Sequence, residues 1–294
     1  MQIDELTLKT ASLLTFEYRL YWIVALSYAL SALIYLAHAL SGSKKAASSA
    51  KGLLITAFIL HVGLIAVRTY EVERAPFQTL YETLSWFAFT AVGTYLLVSR
   101  KWKDVHLPAL FVTTLAAGAC GYALLTRTPA AEPLSPPLQS YWFESHVILA
   151  FFSYAVFIVS SAIEISAAVA SGFLKRGRQS FRGFEASAMH GFHATSYNLV
   201  LFGFPLLTFA IFSGAAWANE AWGRYWSWDP KETWSLITWT VFTMYLHSAR
   251  VPGWSERVAP ILNILGFVCM MMTFLGVNWL AKLLGIPSMH VYAV

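Results

Sequence analysis

Apolar residues in this chain come in blocks of about twenty, each closed by a short polar or charged stretch. At a rise of ~1.5 Å per residue, such a block reaches across ~30 Å of hydrocarbon. The blocks predict eight helical spans, over residues 20–40, 52–70, 79–98, 108–126, 144–172, 192–213, 233–249 and 259–280. The fifth is long enough that it must tilt or project beyond the bilayer. No internal repeat is visible. The start, "MQIDELTLKTASLLTFEYR", lacks a basic region ahead of an apolar core, so no cleavable signal peptide is expected. The expected fold class is an all-α polytopic membrane protein, with residues 1–294 as one integral membrane domain.

Composition agrees with that pattern. The chain is 57% hydrophobic and 12% charged, where a soluble domain carries about a quarter charged residues. Its basic residues set an orientation. The loops at 41–51, 99–107, 173–191 and 250–258 hold Lys44, Lys45, Lys51, Arg100, Lys101, Lys103, Lys175, Arg176, Arg178, Arg182, Arg250 and Arg257, twelve of the twenty Lys and Arg. Those loops are expected in the cytoplasm, which places both termini and residues 214–234 outside it. The net charge of +5 is spread over short loops, so lipid rather than nucleic acid is the expected surroundings. Cys120 and Cys269 lie far apart inside apolar blocks and read as packing residues.

One connection does not fit a plain loop. "WANEAWGRYWSWDPKETW" carries Trp217, Trp222, Trp226, Trp228 and Trp234 among Arg224, Lys231 and three acidic residues. Anchoring at the membrane boundary accounts for one or two tryptophans. Five in eighteen residues is too dense for that. A flat, largely apolar ligand bearing carboxylates fits better, because indoles stack on a π-system while Arg224 or Lys231 can meet the acids. Haem has both features. Within the same stretch, "DPKE" supplies Asp229 as N-cap, Pro230 at the first helical position and Glu232 at the third, so Asp229 should start the seventh span.

The eight histidines separate by depth. His146, in "SYWFESHV", and His290, in "GIPSMHVYAV", share the expected outer side with the tryptophans. Two neutral imidazoles are good axial ligands for haem iron. His247 lies near the inner end of span seven, where an intramembrane ionisable residue is a functional candidate. His61, His38 or a histidine of another subunit could complete its site. His106, His190 and His193 read as cytoplasmic surface residues. Glu82 and Glu164 suggest no chemistry beyond pairing with a nearby Arg or Lys.

Taken together, "WANEAWGRYWSWDPKETWSLITW" and the "YLH" after it resemble the WWD signature of the CcsA/ResC family of System II cytochrome c biogenesis proteins. The resemblance extends to "PFQTLYETLSWFAF", "SYWFESHV" and "GVNWL…MHVYAV". The related CcmC family has a shorter WWD motif that departs from "DPKETW". The resemblance implies a bacterial cytoplasmic or plastid thylakoid membrane protein that carries non-covalent haem b in transit. It further implies a cytochrome c synthase (haem lyase) subunit, joining haem to CXXCH thiols of apocytochrome c outside. His146 and His290 match the family's two extracytoplasmic histidines, and His247 matches its transmembrane one. The chain departs at "MHVYAV", where the family more often ends "LHSYG"-like, and it has no ResB portion. A separate CcsB/ResB-like membrane partner is therefore expected to supply the second transmembrane ligand. A haem exporter without attachment activity, or a scaffold anchored by its tryptophans, would share many of these residues.

Overall fold

A computed structural model describes residues 2–101, 106–127, 129–130, 133–175, 186–255 and 257–285. Among them the secondary structure is helical, with no strand. The elements are α1 (Gln2–Ser41), α2 (Lys44–Val72), α3 (Leu80–Val98), α4 (Leu107–Thr126), α5 (Tyr141–Lys175), α6 (Ala186–Trp222), α7 (Pro230–Ser248) and α8 (Ala259–Met271). A π-helical turn, Met272–Gly276, continues α8 into α9 (Val277–Leu284). Six of the helices are long and apolar enough to cross a membrane: α1, α2, α4, α5, α6, and α8 with its continuation. The other two, α3 and α7, are 19 residues long and dilute their apolar stretches with Thr, Tyr, Trp and Glu.

The chain divides into two compact units. The first comprises residues 1–101 and 109–135, the second residues 102–108 and 136–294. In the first, the α1–α2 contact follows a seven-residue rhythm. Tyr21, Val24, Tyr28, Ser31, Tyr35 and His38 are buried on α1, and Ala47, Ala50, Leu54, Ala57, His61, Leu64 and Arg68 on α2. Large tyrosines on one helix and small alanines on the other suit a 3.5-residue seam. Gly42, at φ 73, ends α1, and Ser43 caps α2 through the N–H of Ala46.

The first unit also buries a charge network. The Arg68 guanidinium reaches Glu82 Oε1 at 3.0 Å, and Arg74 reaches Glu82 Oε2 at 3.2 Å. Glu82 closes a capping box with Thr79 at the start of α3. The expected pairing of Glu82 with an arginine is what the structure contains.

In the second unit α5 and α6 run antiparallel, since His146 faces Ala210, Ser160 faces Ser196 and Glu164 faces His193. Gly203 lets the helices close up: a Cβ there would stand 2.9 Å from the Phe157 ring. Phe157 stacks on Phe242 of α7 at 3.9 Å between centroids. Buried serines and Asn263 of α8 satisfy one another across the core. Ser160 and Ser196 each donate to the other's carbonyl, and Asn263 bonds both Ser160 and Ser161.

The two largest departures from the hydropathy reading are at the start of α1 and the end of α6. Helix α1 begins at Gln2 rather than near residue 20. Helix α6 runs to Trp222 rather than ending near 213, because "GAAWANEAW" is rich in strong helix formers although too polar to count as membrane-spanning. Trp217 and Trp222 therefore stand on the last turns of a helix, and the connection proper is only residues 223–229.

Candidate functional site: the tryptophan loop and His146

The loop after α6 is built by three devices. Gly223, at φ 71, turns the chain out of the helix while its N–H donates to the Asn219 carbonyl at 2.9 Å. Asp229 caps α7 by accepting the Lys231 N–H at 2.9 Å, with Pro230 and Glu232 as read from "DPKE". The Glu232 carboxylate then reaches back along the loop, accepting the N–H of Ser227 at 2.7 Å and of Asp229 at 3.1 Å. It also accepts the Ser227 hydroxyl at 3.2 Å. Hydrogen bonds to a charged acceptor are each worth ~1.5–3 kcal/mol.

Those bonds hold a strained residue in place. Trp228 sits at φ 60, a left-handed backbone costing ~1–3 kcal/mol for a bulky side chain. The consequence is an indole 69% exposed, set perpendicular to Trp226 with centroids 5.7 Å apart. The buried Trp226 Nε1 has no hydrogen-bond partner among the described residues. Tyr225 and Arg224 are exposed beside them. Trp234 is half-buried in the first turns of α7. Lys231, in the first turn of α7 and ahead of the predicted span, is half-buried. Burial pushes its ammonium down to about 8, against the opposite pull of Asp229.

His146 lies at the same end of the second unit, one turn into α5. Its Nδ1 stands 2.7 Å from the Ala210 carbonyl of α6. A carbonyl only accepts, so Nδ1 carries the proton and the lone pair is on Nε2. Gly214 makes room for the ring, since a Cβ there would fall 2.6 Å from Nδ1 and 2.8 Å from Cε1. Trp217 lies nearly parallel to the imidazole, at 6.1 Å and 19°, and its Nε1 donates to the Pro137 carbonyl at 2.7 Å. At 3% exposure, with Phe143 and Trp222 also against it, Trp217 braces His146 rather than offering a free stacking face. This differs from its expected role, and the reason is its place on a packed helix instead of a loop.

The remaining candidates fall elsewhere. His290 lies outside the described residues. His247, in the last turn of α7, is exposed and its Nδ1 donates to the Thr243 carbonyl at 2.8 Å. Seventeen residues separate it from Pro230, or ~26 Å along the helix. His61 is fully buried between Tyr28, whose hydroxyl is 3.0 Å from Nδ1, and Ser85, whose hydroxyl is 2.9 Å from Nε2. Both ring nitrogens are engaged, which marks a satisfied core histidine rather than an iron ligand. His38 donates from Nδ1 to the Ser43 carbonyl and braces the α1–α2 turn.

His193 stands near the start of α6 with its side chain 37% exposed, and Glu164 finds a different partner from the one its sequence context suggests. The Glu164 carboxylate, 1% exposed, bonds His193 Nδ1 at 2.8 Å rather than an arginine or lysine. Sequence reasoning also missed Gly214 and the reach of Glu232. A glycine inside an apolar helix costs ~1 kcal/mol against alanine, so its presence is itself a signal of close approach.

Six helices able to cross a membrane, in a chain whose described residues form helices and no strand, define a polytopic helical membrane protein. A family model described as cytochrome C assembly protein matches residues 19–284, and the chain belongs to that family. A cytochrome c biogenesis protein CcsA of Synechococcus sp. (strain CC9902) is 33% identical over 264 residues, covering 82% of this chain and 85% of that protein. The CcsA of Chlamydomonas reinhardtii is 36% identical over 229 residues, covering 76% of this chain and 64% of that protein. Among solved structures, the cytochrome c heme lyase CcmF superposes with a TM-score of 0.66 at 18% identity, over 97% of this chain. This chain spans about half of CcmF, 52% of its length, and the likeness concerns the fold.

Proposed function

We propose that this chain is the CcsA-like subunit of a cytochrome c synthase. It takes up haem b as non-covalent cargo and presents it on the extracytoplasmic side to the CXXCH thiols of apocytochrome c, working with a CcsB/ResB-like membrane partner. The reading takes all eight helices as membrane-crossing in one integral domain, with both termini and residues 214–234 outside the cytoplasm. The membership of a cytochrome c assembly family supports a maturation role. The observation that carries the site is the His146 tautomer: the Ala210 carbonyl fixes Nδ1–H, which sets Nε2 as the nitrogen that bears the lone pair.

On this reading His146 and His290 supply the outer axial nitrogens and His247 an inner one. Trp226 and Trp228 offer indole faces to the macrocycle, with Trp222 and Trp234 flanking them. Trp217 and Asp229 hold that arrangement rather than touch the cargo. Arg224 and Lys231 lie where propionates can be met. The chemistry is redox-neutral. Each thiol S–H adds across a vinyl group, forming one carbon–sulfur bond and delivering the proton to the neighbouring carbon. Since the reacting groups belong to the two substrates, the protein contributes positioning.

The experiment is covalent cytochrome c yield in cells lacking other maturation systems, supplied with this chain and a CcsB-like partner. Wild-type should support attachment and His146→Ala should lose it. Undiminished yield from His146→Ala would remove that histidine from the mechanism, and haem export with no covalent product would leave transport alone.

A further inference from the structure

Joining a thiol to a vinyl group moves one proton off sulfur and one onto carbon. A cysteine thiol titrates near ~8.5, so at neutral pH only a small fraction is the nucleophilic thiolate. A base beside the reacting sulfur removes that limit, and it works best when its own pKa lies near the working pH.

The groups around the tryptophan loop sort by what already engages them. Glu232 commits its carboxylate to the Ser227 and Asp229 N–H groups and to the Ser227 hydroxyl. Asp229 is 5% exposed and caps α7. Arg224 is exposed, but a guanidinium stays protonated at any working pH. His146 has its Nδ1 proton on the Ala210 carbonyl and, on the proposed reading, its other nitrogen toward iron. Lys231 remains.

Lys231 is held where a lysine adds nothing to stability. It is the second residue of α7, in the turn where the helix dipole repels a cation. It is half-buried, and among the described residues no hydrogen bond or ion pair takes its ammonium. Asp229 accepts its backbone N–H, and the Glu232 carboxylate is turned to the loop. Trp228, its indole 69% exposed, lies three residues before it, so cargo on that ring and a peptide reaching it meet the same short stretch of chain. Each of these costs falls on the charged form alone. Burial accordingly brings the ammonium down to about 8, against the opposing charge of Asp229.

We infer that Lys231 is the general base of haem attachment, its free amine taking the proton of a CXXCH thiol at the tryptophan loop. The inference rests on the synthase reading and adds a chemical step to a role otherwise of positioning. The Nζ lone pair takes the thiol proton, and the thiolate pair forms the carbon–sulfur bond. The vinyl π pair moves to the neighbouring carbon, which takes a proton back from Nζ. The amine is restored, and nothing is oxidised or reduced. Arg224 is then the cation left for a propionate.

The test is the rate at which the full chain, with its CcsB-like partner in lipid nanodiscs, attaches ferrous haem to a CXXCH peptide as pH is varied. Lys231→Arg keeps a cation but cannot accept a proton. Its haem content should match wild-type, while attachment near neutral pH falls at least ~100-fold. The deficit should close as pH passes ~8.5, where the thiols ionise unaided. Lys231→Gln should show the same pH-dependent deficit, so a misfit of the larger arginine does not decide the result. Wild-type attachment near neutral pH in either variant overturns the inference. So does a deficit that is equal at every pH, or one that merely follows lost haem. A wild-type complex that attaches no haem at any pH overturns the synthase reading, and this inference with it.

Discussion

Replacing Gly214 with alanine isolates the seat of His146. The added methyl would stand 2.6 Å from Nδ1, whereas ordinary contact begins near 3.4 Å. The ring or the helix must therefore yield by about 0.8 Å, enough to stretch the 2.7 Å bond to Ala210 to the limit of a hydrogen bond. Overpacking of this kind costs ~1–3 kcal/mol. Helix propensity returns ~1 kcal/mol, because alanine is the better helix former. The net loss of ~0–2 kcal/mol leaves the protein folded, while the histidine loses its fixed tautomer and direction. Haem affinity at the outer site should fall at least tenfold, or ~1.4 kcal/mol. Gly172→Ala is the control, since a Cβ there meets nothing within 4 Å. The assay is hemin titration alongside thermal unfolding of both variants. Wild-type affinity and spectrum in Gly214→Ala would refute the claim that this glycine seats the ligand.

Other expectations follow from the loop and the core. Trp228→Gly should relieve the left-handed strain and leave thermal stability unchanged or higher by up to ~1 kcal/mol, while haem occupancy falls; a parallel loss of stability and occupancy would make Trp228 structural. Glu232→Gln should loosen residues 227–229 and cost ~1–2 kcal/mol, read as faster proteolysis of the loop. Lys231 has its folded pKa lowered to about 8 from 10.5, so between those values the unfolded chain binds more protons and stability should rise with pH. That rise should be absent in Lys231→Met, and equal pH profiles for the two proteins would contradict it. His61→Ala should destabilise by ~2–4 kcal/mol by orphaning Tyr28 and Ser85, with haem stoichiometry of the surviving folded protein unchanged.

Much of this architecture is legible in the chain. Apolar block length locates the helices that hydropathy alone can find, and "DPKE" announces the start of α7 because capping is a local property of four residues. The seven-residue rhythm from Tyr21 to Tyr35 is equally open to reading. The end of α6 is not, since the polar residues of "WANEAW" lower hydropathy without weakening the helix. Trp217 therefore reads as a loop residue by hydropathy and stands on α6 in the structure. Pairings across helices are also hidden: Glu164 finds His193, 29 residues away, and nothing local distinguishes it from a carboxylate awaiting a lysine. His61 looks like a ligand by depth and is a packed, doubly bonded core group by contact. The longest of the motifs that carry the family resemblance is the tryptophan segment, and the structure accounts for several of its residues. Gly223 turns the chain, Asp229 and Glu232 brace the loop, and the strain at Trp228 holds an indole in the open.

The central claim is that His146 binds haem iron through Nε2, and the optical and EPR spectra of the purified chain with its partner test it most directly. Wild-type should carry low-spin, bis-histidine haem. His146→Gly should lose that signal at the outer site and regain it when imidazole is added, because the small base can occupy the space beside Gly214. The same spectrum and haem content in wild-type and His146→Gly, with no response to imidazole, would contradict the account.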